Sequence, residues 1–388
     1  MSVFCLWRNV DLLRPSRDDA ACKFFMLFKF IMLIQLAITG MLVALLPLAI
    51  VLSSKDENKY RKLVWITLFL TFDLIMFGSF TRLTDSGLGC PDWPGCYGQA
   101  NPVQAHADIS AAEAAMPTGP VTVVKAWIEM IHRYLAMAVG VLIIAIMVVA
   151  WQKWLKSSRQ LANFSPALPT ALFLLVCLQG AFGAWTVTMK LQPIIVTIHL
   201  LLGITMLAWL VVLASRHNVH AAVASGARAL LNPAIFALIL LTIQIILGGW
   251  VSTNYAVLAC TDFPLCHGQL IPHMDFEHGF TWWRELGKTA AGDLLPVEAL
   301  TAIHWVHRNF AFIVIAYIAW LGFKAYKIEG LRNTGKWILI VLAAQIVSGV
   351  STIFLSWPIA IAVIHNGGAA LLVLLLTLLI YKSRLAQK

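Results

Sequence analysis

The sequence predicts an all-α, polytopic membrane protein. It is built as two tandem four-helix bundles related by a pseudo-two-fold axis along the membrane normal, with one extra N-terminal hydrophobic helix. Three observations predict this. Of 388 residues, 60% are apolar and 12% charged, against about half and a quarter in soluble domains. The apolar residues fall into runs long enough to cross roughly 30 Å of hydrocarbon. A cysteine motif returns 170 residues downstream of itself, with helices around it in the same order.

This composition and a mean hydropathy of +0.82 exclude a soluble globular domain, a disordered chain and a collagen-like one. The net charge of +10 is read as a topology signal and not as nucleic-acid binding, because surplus Lys and Arg of membrane proteins collect in cytoplasmic loops.

The candidate spans, in order, are 24–52, 63–83, 127–151, 167–189, 194–214, 232–253, 301–323, 336–356 and 359–380. Backbone in lipid must satisfy its own hydrogen bonds, so each is a helix. The segments 53–62, 152–164, 215–231, 324–336 and the tail after 381 hold 16 Lys and Arg, and the opposite loops hold 4: Lys125, Lys190, Arg284 and Lys288. The basic segments are therefore assigned to the cytoplasm and the long loops 84–126 and 254–300 to the outer side. The first span fits least well. A single crossing puts Arg8, Arg14, Arg17 and Lys23 outside, and Lys29 interrupts its start. A ninth span, an interfacial helix and a start-site artefact all stay open for it. The domains expected are 1–62 (extension), 63–214 (first unit), 215–231 (cytoplasmic linker) and 232–388 (second unit).

The repeat is read from matched residues. Cys90, Asp92, Pro94, Cys96, Gly98 and Gln99 correspond to Cys260, Asp262, Pro264, Cys266, Gly268 and Gln269. The next helices start with Glu129-x-x-His132-Arg133 and His304-x-x-His307-Arg308. Gln179 and Gly183 match Gln345 and Gly349, and His199 matches His365. An even number of spans per unit makes the repeats parallel.

Of 11 histidines, His132, His199, His307 and His365 lie inside spans at equivalent places. One intramembrane histidine is commonly a helix–helix hydrogen bond. Four at one depth, paired by the repeat, mark function. Each unit offers one from its second helix and one from its fourth. Two imidazoles facing each other across a four-helix bundle are the simplest way to hold a haem iron by both axial positions. Zinc lacks the thiolates or carboxylates that would complete a tetrahedral set. His304 shares a helix face with His307 and is the alternative ligand, although the repeat favours His307. His267 and His273 flank the second cysteine pair and are candidates to cover a haem edge.

Arg133 and Arg308 follow the ligand histidines, and Arg82 ends its helix. Each either snorkels to the interface or pairs with a haem propionate. The units differ at one neighbour: Glu129 stands where the second has His304, and Arg82 where it has Ser252. A carboxylate one turn from a haem ligand is placed to move protons at the haem edge, so the first unit is assigned to substrate and the second to a permanent cofactor. Cys90/Cys96 and Cys260/Cys266 are spaced to close as disulfides in outer loops. For the first pair, beside the supposed active site, a redox role is the alternative. Cys5, Cys22 and Cys177 have no partner by spacing.

The stretch from Thr81 and Arg82 through Asp85, Gly87, Cys90, Pro91, Asp92, Trp93 and Pro94 to Cys96, the Glu129-x-x-His132-Arg133 helix, and the segment Gln179 to Gly183-Ala184-Trp185-Thr186-Val187 resemble the haem A synthase family over roughly residues 63–380. The resemblance implies a membrane oxidase that converts the ring methyl of haem O to a formyl group by successive hydroxylations, for cytochrome c oxidase. It implies that His132 and His199 bind substrate haem, that His307 and His365 bind cofactor haem b, and that Glu129 is the essential carboxylate. Cys90 and Cys96 then match a redox-sensitive pair. Haem O and haem A are the expected ligands, with a haem O synthase and an electron donor as partners; homo-oligomerisation is left open. A bacterial plasma membrane is favoured, since the N-terminus does not look like a transit peptide. The competing readings are a non-enzymatic two-haem b electron-transfer cytochrome and a haem transporter.

Overall fold

The computed structural model describes residues 17–157 and 164–386. Cys5, Arg8, Arg14, Arg159 and Lys388 lie outside the described residues, as do the side chains of Arg17, Cys22 and Lys23. The regular structure of the described residues is helical, without a strand: α1 (Arg17–Ser53), α2 (Lys59–Leu83), α3 (His106–Ala115), α4 (Val123–Lys156), α5 (Ala167–Thr188), α6 (Pro193–Arg216), α7 (Leu231–Thr253), α8 (Phe276–Phe280), α9 (Val297–Tyr326), α10 (Arg332–Phe354) and α11 (Ile359–Leu385). Nine of these are long and apolar enough to span a membrane, the first over Lys29–Ser53. All nine expected spans are present. Several helices run past the expected limits, because helical hydrogen bonding continues where hydropathy stops. Two short helices, α3 and α8, were not expected in the long loops.

Local chemistry sets the starts and turns. The Asn58 side chain accepts from Arg61 N at 3.0 Å, and Thr122 Oγ1 accepts from Lys125 N at 3.2 Å, capping α2 and α4. Prolines stand at or beside the first residues of α5, α6, α9 and α11, where a missing N–H costs nothing. The α5–α6 turn uses Lys190 and Leu191 at positive φ, and the α10–α11 turn uses Ser356 and Trp357 in the same way.

Helix α2 packs on α4 and α6, and α5 packs on α4 and α6, closing a ring of four. Helices α7, α9, α10 and α11 pack in the corresponding cycle. The two sets meet where α11 packs on α2 and α6, and where α6 packs on α7. Helix α1 lies along α4 outside the rings.

The main apolar core lies in the halves of the helices nearest the basic loops. It includes Val64, Leu142, Ile146, Leu207, Leu210, Ile318, Leu321, Leu376 and Leu379. The opposite halves carry the four histidines, all only half-buried.

Candidate functional site

The cysteine loops are built alike. Each pair is a disulfide with Cα atoms 4.9 Å apart. Asp92 accepts from Tyr97 N and Gly98 N, both at 2.7 Å, and Asp262 accepts from His267 N and Gly268 N, both at 2.8 Å. Each aspartate folds its loop back on itself, and Gly98 and Gly268 supply the left-handed backbone at φ +73°. Burial separates the two loops. Gly95, Cys96 and Ala100 are buried, whereas His267, Gly268, Gln269 and Leu270 are exposed. Met32 from α1 joins Cys90, Cys96, Ile109 from α3 and Met130 from α4 in a small apolar cluster over the first loop.

Each loop is tied to the helix below it. Glu129 Oε2 accepts from Cys90 N at 2.8 Å, and His304 Nδ1 accepts from Cys260 N at 3.2 Å. Both side chains are buried, at 4% and 5% exposure. The exchange of Glu for His thus changes the chemistry at a fixed structural position. Glu129 Oε1 is also ion-paired with Arg133. Arg133 donates to the carbonyls of Asp92, Pro94 and Gly95, the last at 2.7 Å, and Arg308 donates to Asp262 O at 2.7 Å and Leu265 O at 3.1 Å. Both guanidiniums brace a disulfide loop. Arg308 Nη1 is buried without a hydrogen bond, whereas both Nη atoms of Arg133 are engaged. Arg82 lies between the two sets of helices, 2.6 Å from Ser252 O and 3.2 Å from Asp85.

His132 lies within electrostatic range of His199, and His307 within range of His365. A glycine on an adjacent helix faces each ring: Gly78 for His132, Gly183 for His199, Gly248 for His307 and Gly349 for His365. A Cβ at these positions would lie 2.9, 3.2, 2.9 and 3.0 Å from its imidazole. The rings are held differently. Gln244 Nε2 reaches His307 Nδ1 at 3.1 Å, and Ser348 Oγ reaches His365 Nδ1 at 2.9 Å. His199 meets Gln179 only at 3.5 Å, and its Nδ1 is buried without a partner. His132 stacks on Phe77 with centroids 6.2 Å apart. His304 Nδ1 is bonded to the cysteine loop; His267 and His273 are exposed. Cys177 is a free thiol. Sequence reasoning missed Gly78, Gly248, Gln244 and Ser348. The 170-residue offset linking Gly78 to Gly248 was the one available signal.

Known proteins are similar over most of the chain. A family model described as COX15-CtaA, cytochrome oxidase assembly protein, matches residues 61–377. The protein named Heme A synthase from Shewanella oneidensis is 38% identical over 326 residues, covering 82% of this chain and 96% of that protein. Those of the same name from Nitrosospira multiformis and Erythrobacter litoralis are each 28% identical, covering 83% and 80% of this chain and 94% and 93% of their own lengths. With helices, paired histidines and cysteine loops in this arrangement and a family match across both halves, the chain belongs to the COX15-CtaA family of cytochrome oxidase assembly proteins.

Proposed function

We propose that this multi-pass membrane protein is a haem A synthase, an oxidoreductase that converts the ring methyl group of haem O to the formyl group of haem A by successive hydroxylations. The observation that carries the catalytic assignment is Glu129: a buried carboxylate, three residues before His132, held by Cys90 N and Arg133. Residues 63–214 form the substrate unit, 232–388 the cofactor unit, 215–231 the cytoplasmic linker, and 1–62 an extension. The two units are related by a pseudo-two-fold axis along the membrane normal. The matched hydrogen bonds of the two cysteine loops support that relation.

The residues fit a haem in each unit. Paired imidazoles with glycine faces beside them suit a flat, bulky ligand. His307 and His365 would hold haem b, and each ring is positioned by a polar neighbour at Nδ1, Gln244 for His307 and Ser348 for His365. Arg308 keeps a free Nη1 for a propionate. Haem b, when bound, supplies the electron-accepting chemistry that side chains lack. His132 and His199 would hold substrate haem O, and their weaker bracing suits a ligand that must leave as product. Glu129 takes up and returns protons at the methyl edge, Arg133 holds that carboxylate in place, and the loop above limits access of water. The Cys90–Cys96 disulfide either stiffens this cover or exchanges with a thiol partner.

The basic loops lie in the cytoplasm and the cysteine loops on the outer face of a bacterial plasma membrane. An electron donor and a haem O synthase are the partners this chemistry needs. The test is expression in cells that make haem O but lack their own haem A synthase, with extracted haems weighed by mass spectrometry. Haem A or its hydroxylated precursor is expected. Folded protein carrying only unmodified haems, with haem O and reductant present, would leave an electron-transfer cytochrome.

A further inference from the structure

At the cysteine-loop end, a cavity lies between the α5–α6 turn and the long loop before α9. Its walls include Gln192, Trp283, Arg284, Glu285, Lys288 and Thr289. Arg284, Gln192 and Thr289 are 3%, 8% and 7% exposed, and Arg284 Nε, Gln192 Oε1 and Thr289 Oγ1 are buried without hydrogen bonds. Arg284 Nη2 donates to Asn254 Oδ1 at 2.6 Å and Nη1 to Lys288 O at 3.2 Å; both acceptors are neutral. Among the described residues no carboxylate pairs with Arg284: Glu285 in the same wall is turned out to solvent and paired with Lys288 at 2.7 Å, and the Trp250 ring, 5.9 Å from the guanidinium, carries no net charge.

Ordered water can satisfy an amide or a hydroxyl, but it does not neutralise a buried guanidinium. Buried charges are paired, and the planar fork of arginine favours carboxylate and phosphate. We infer that this cavity binds an oxyanion, with Arg284 as its counter-charge and Thr289 and Gln192 as flanking donors. The Gln192 amide presents either its oxygen or its nitrogen to the cavity. Two sources supply such a group. One is a propionate of the haem in the first unit: Gln192 precedes His199 by seven residues, about 10 Å along α6. The other is the phosphate of a phospholipid headgroup. The haem source rests on the proposed role of His199; the oxyanion site itself does not.

The test uses the purified full-length protein in nanodiscs of phosphatidylethanolamine and phosphatidylglycerol. Arg284→Gln removes the charge. Gln192→Glu supplies an internal carboxylate, so it blocks the site while leaving Arg284 paired and the loop folded. Two quantities are measured: transfer of bound haem to apomyoglobin, and phospholipid retained in native mass spectra. If a propionate is held, both variants speed haem transfer roughly tenfold or more. If a phosphate is held, haem transfer is unchanged and both variants lose one tightly bound phosphatidylglycerol. Neither effect in Gln192→Glu overturns the inference, whatever Arg284→Gln does. Haem A measured in the same cells reports separately on the synthase reading.

Discussion

At the residue scale, the two units place different side chains at equivalent positions, and what each does is testable one side chain at a time. Glu129→Gln keeps an acceptor for Cys90 N but cannot exchange a proton at neutral pH. Haem content should stay near wild type, and haem A formation should fall by about 10²-fold or more, the usual weight of a general acid–base group. The second prediction concerns ligand support. Gln244→Leu and Ser348→Ala remove the bonds to His307 and His365, so haem b affinity should fall about 10- to 100-fold, read as faster haem loss. Gly248→Val should do the same through a clash with His307, whereas Gly140→Val, with open space beside it, should not. The four paired histidines were legible in the sequence because an intramembrane imidazole is costly and the repeat marks four of them together. Gln244 and Gly248 were not, because which side chain faces a ring depends on helix rotation, and spacing within one helix does not reveal it.

At the element scale, the cysteine loops behave as clips closed by an aspartate. The Gly268 amide, with that of His267, holds the Asp262 carboxyl below its ordinary value, against the opposing effect of burial. A depressed pKa contributes stability above the ordinary carboxylate pKa, near 3.9, and that stability is lost as pH falls through the lowered value. The loop should therefore stay closed from pH 8 to pH 5 and open progressively only as pH falls below the ordinary carboxylate value, measured by hydrogen exchange at Gly268. Asp262→Asn should open it several-fold more often at neutral pH, at about 1 kcal/mol for one lost bond. The first loop has an additional cover, since a methyl group at Gly95 would lie 2.7 Å from Met32 Sδ. Spans and cysteine pairing were legible from hydropathy and spacing. The docking of α1 on α4 was not, because helix–helix contact in lipid rests on local close approach, as between Gly40 and Met137.

At the scale of the whole molecule, the join between the two helix sets is fixed by a few polar bonds at the cysteine-loop end. Arg82 donates to Ser252 O at 2.6 Å, its guanidinium lies 4.2 Å from the Tyr255 ring centroid, and Tyr255 OH donates to Asp85 Oδ1 at 2.6 Å. Asn366 Nδ2 reaches Ser79 Oγ at 2.7 Å across the same join. The repeat was legible, but the join was not: Arg82 reads from the sequence as a propionate partner, since nothing local says it bonds a carbonyl 170 residues away. The two roles predict different outcomes. As a bond across the join, Arg82→Met removes a charge-assisted hydrogen bond to Ser252 O and should cost about 1.5–3 kcal/mol of stability, with haem affinity nearly unchanged. Tyr255→Phe keeps the ring under the guanidinium and loses only the hydroxyl. Because both residues act through Asp85, the double variant should be less destabilised than the sum of the singles, by about 0.5 kcal/mol or more. The measurement is a double-mutant cycle on thermal unfolding of the detergent-solubilised protein. Additive losses, or a loss confined to haem binding, would return Arg82 to the substrate.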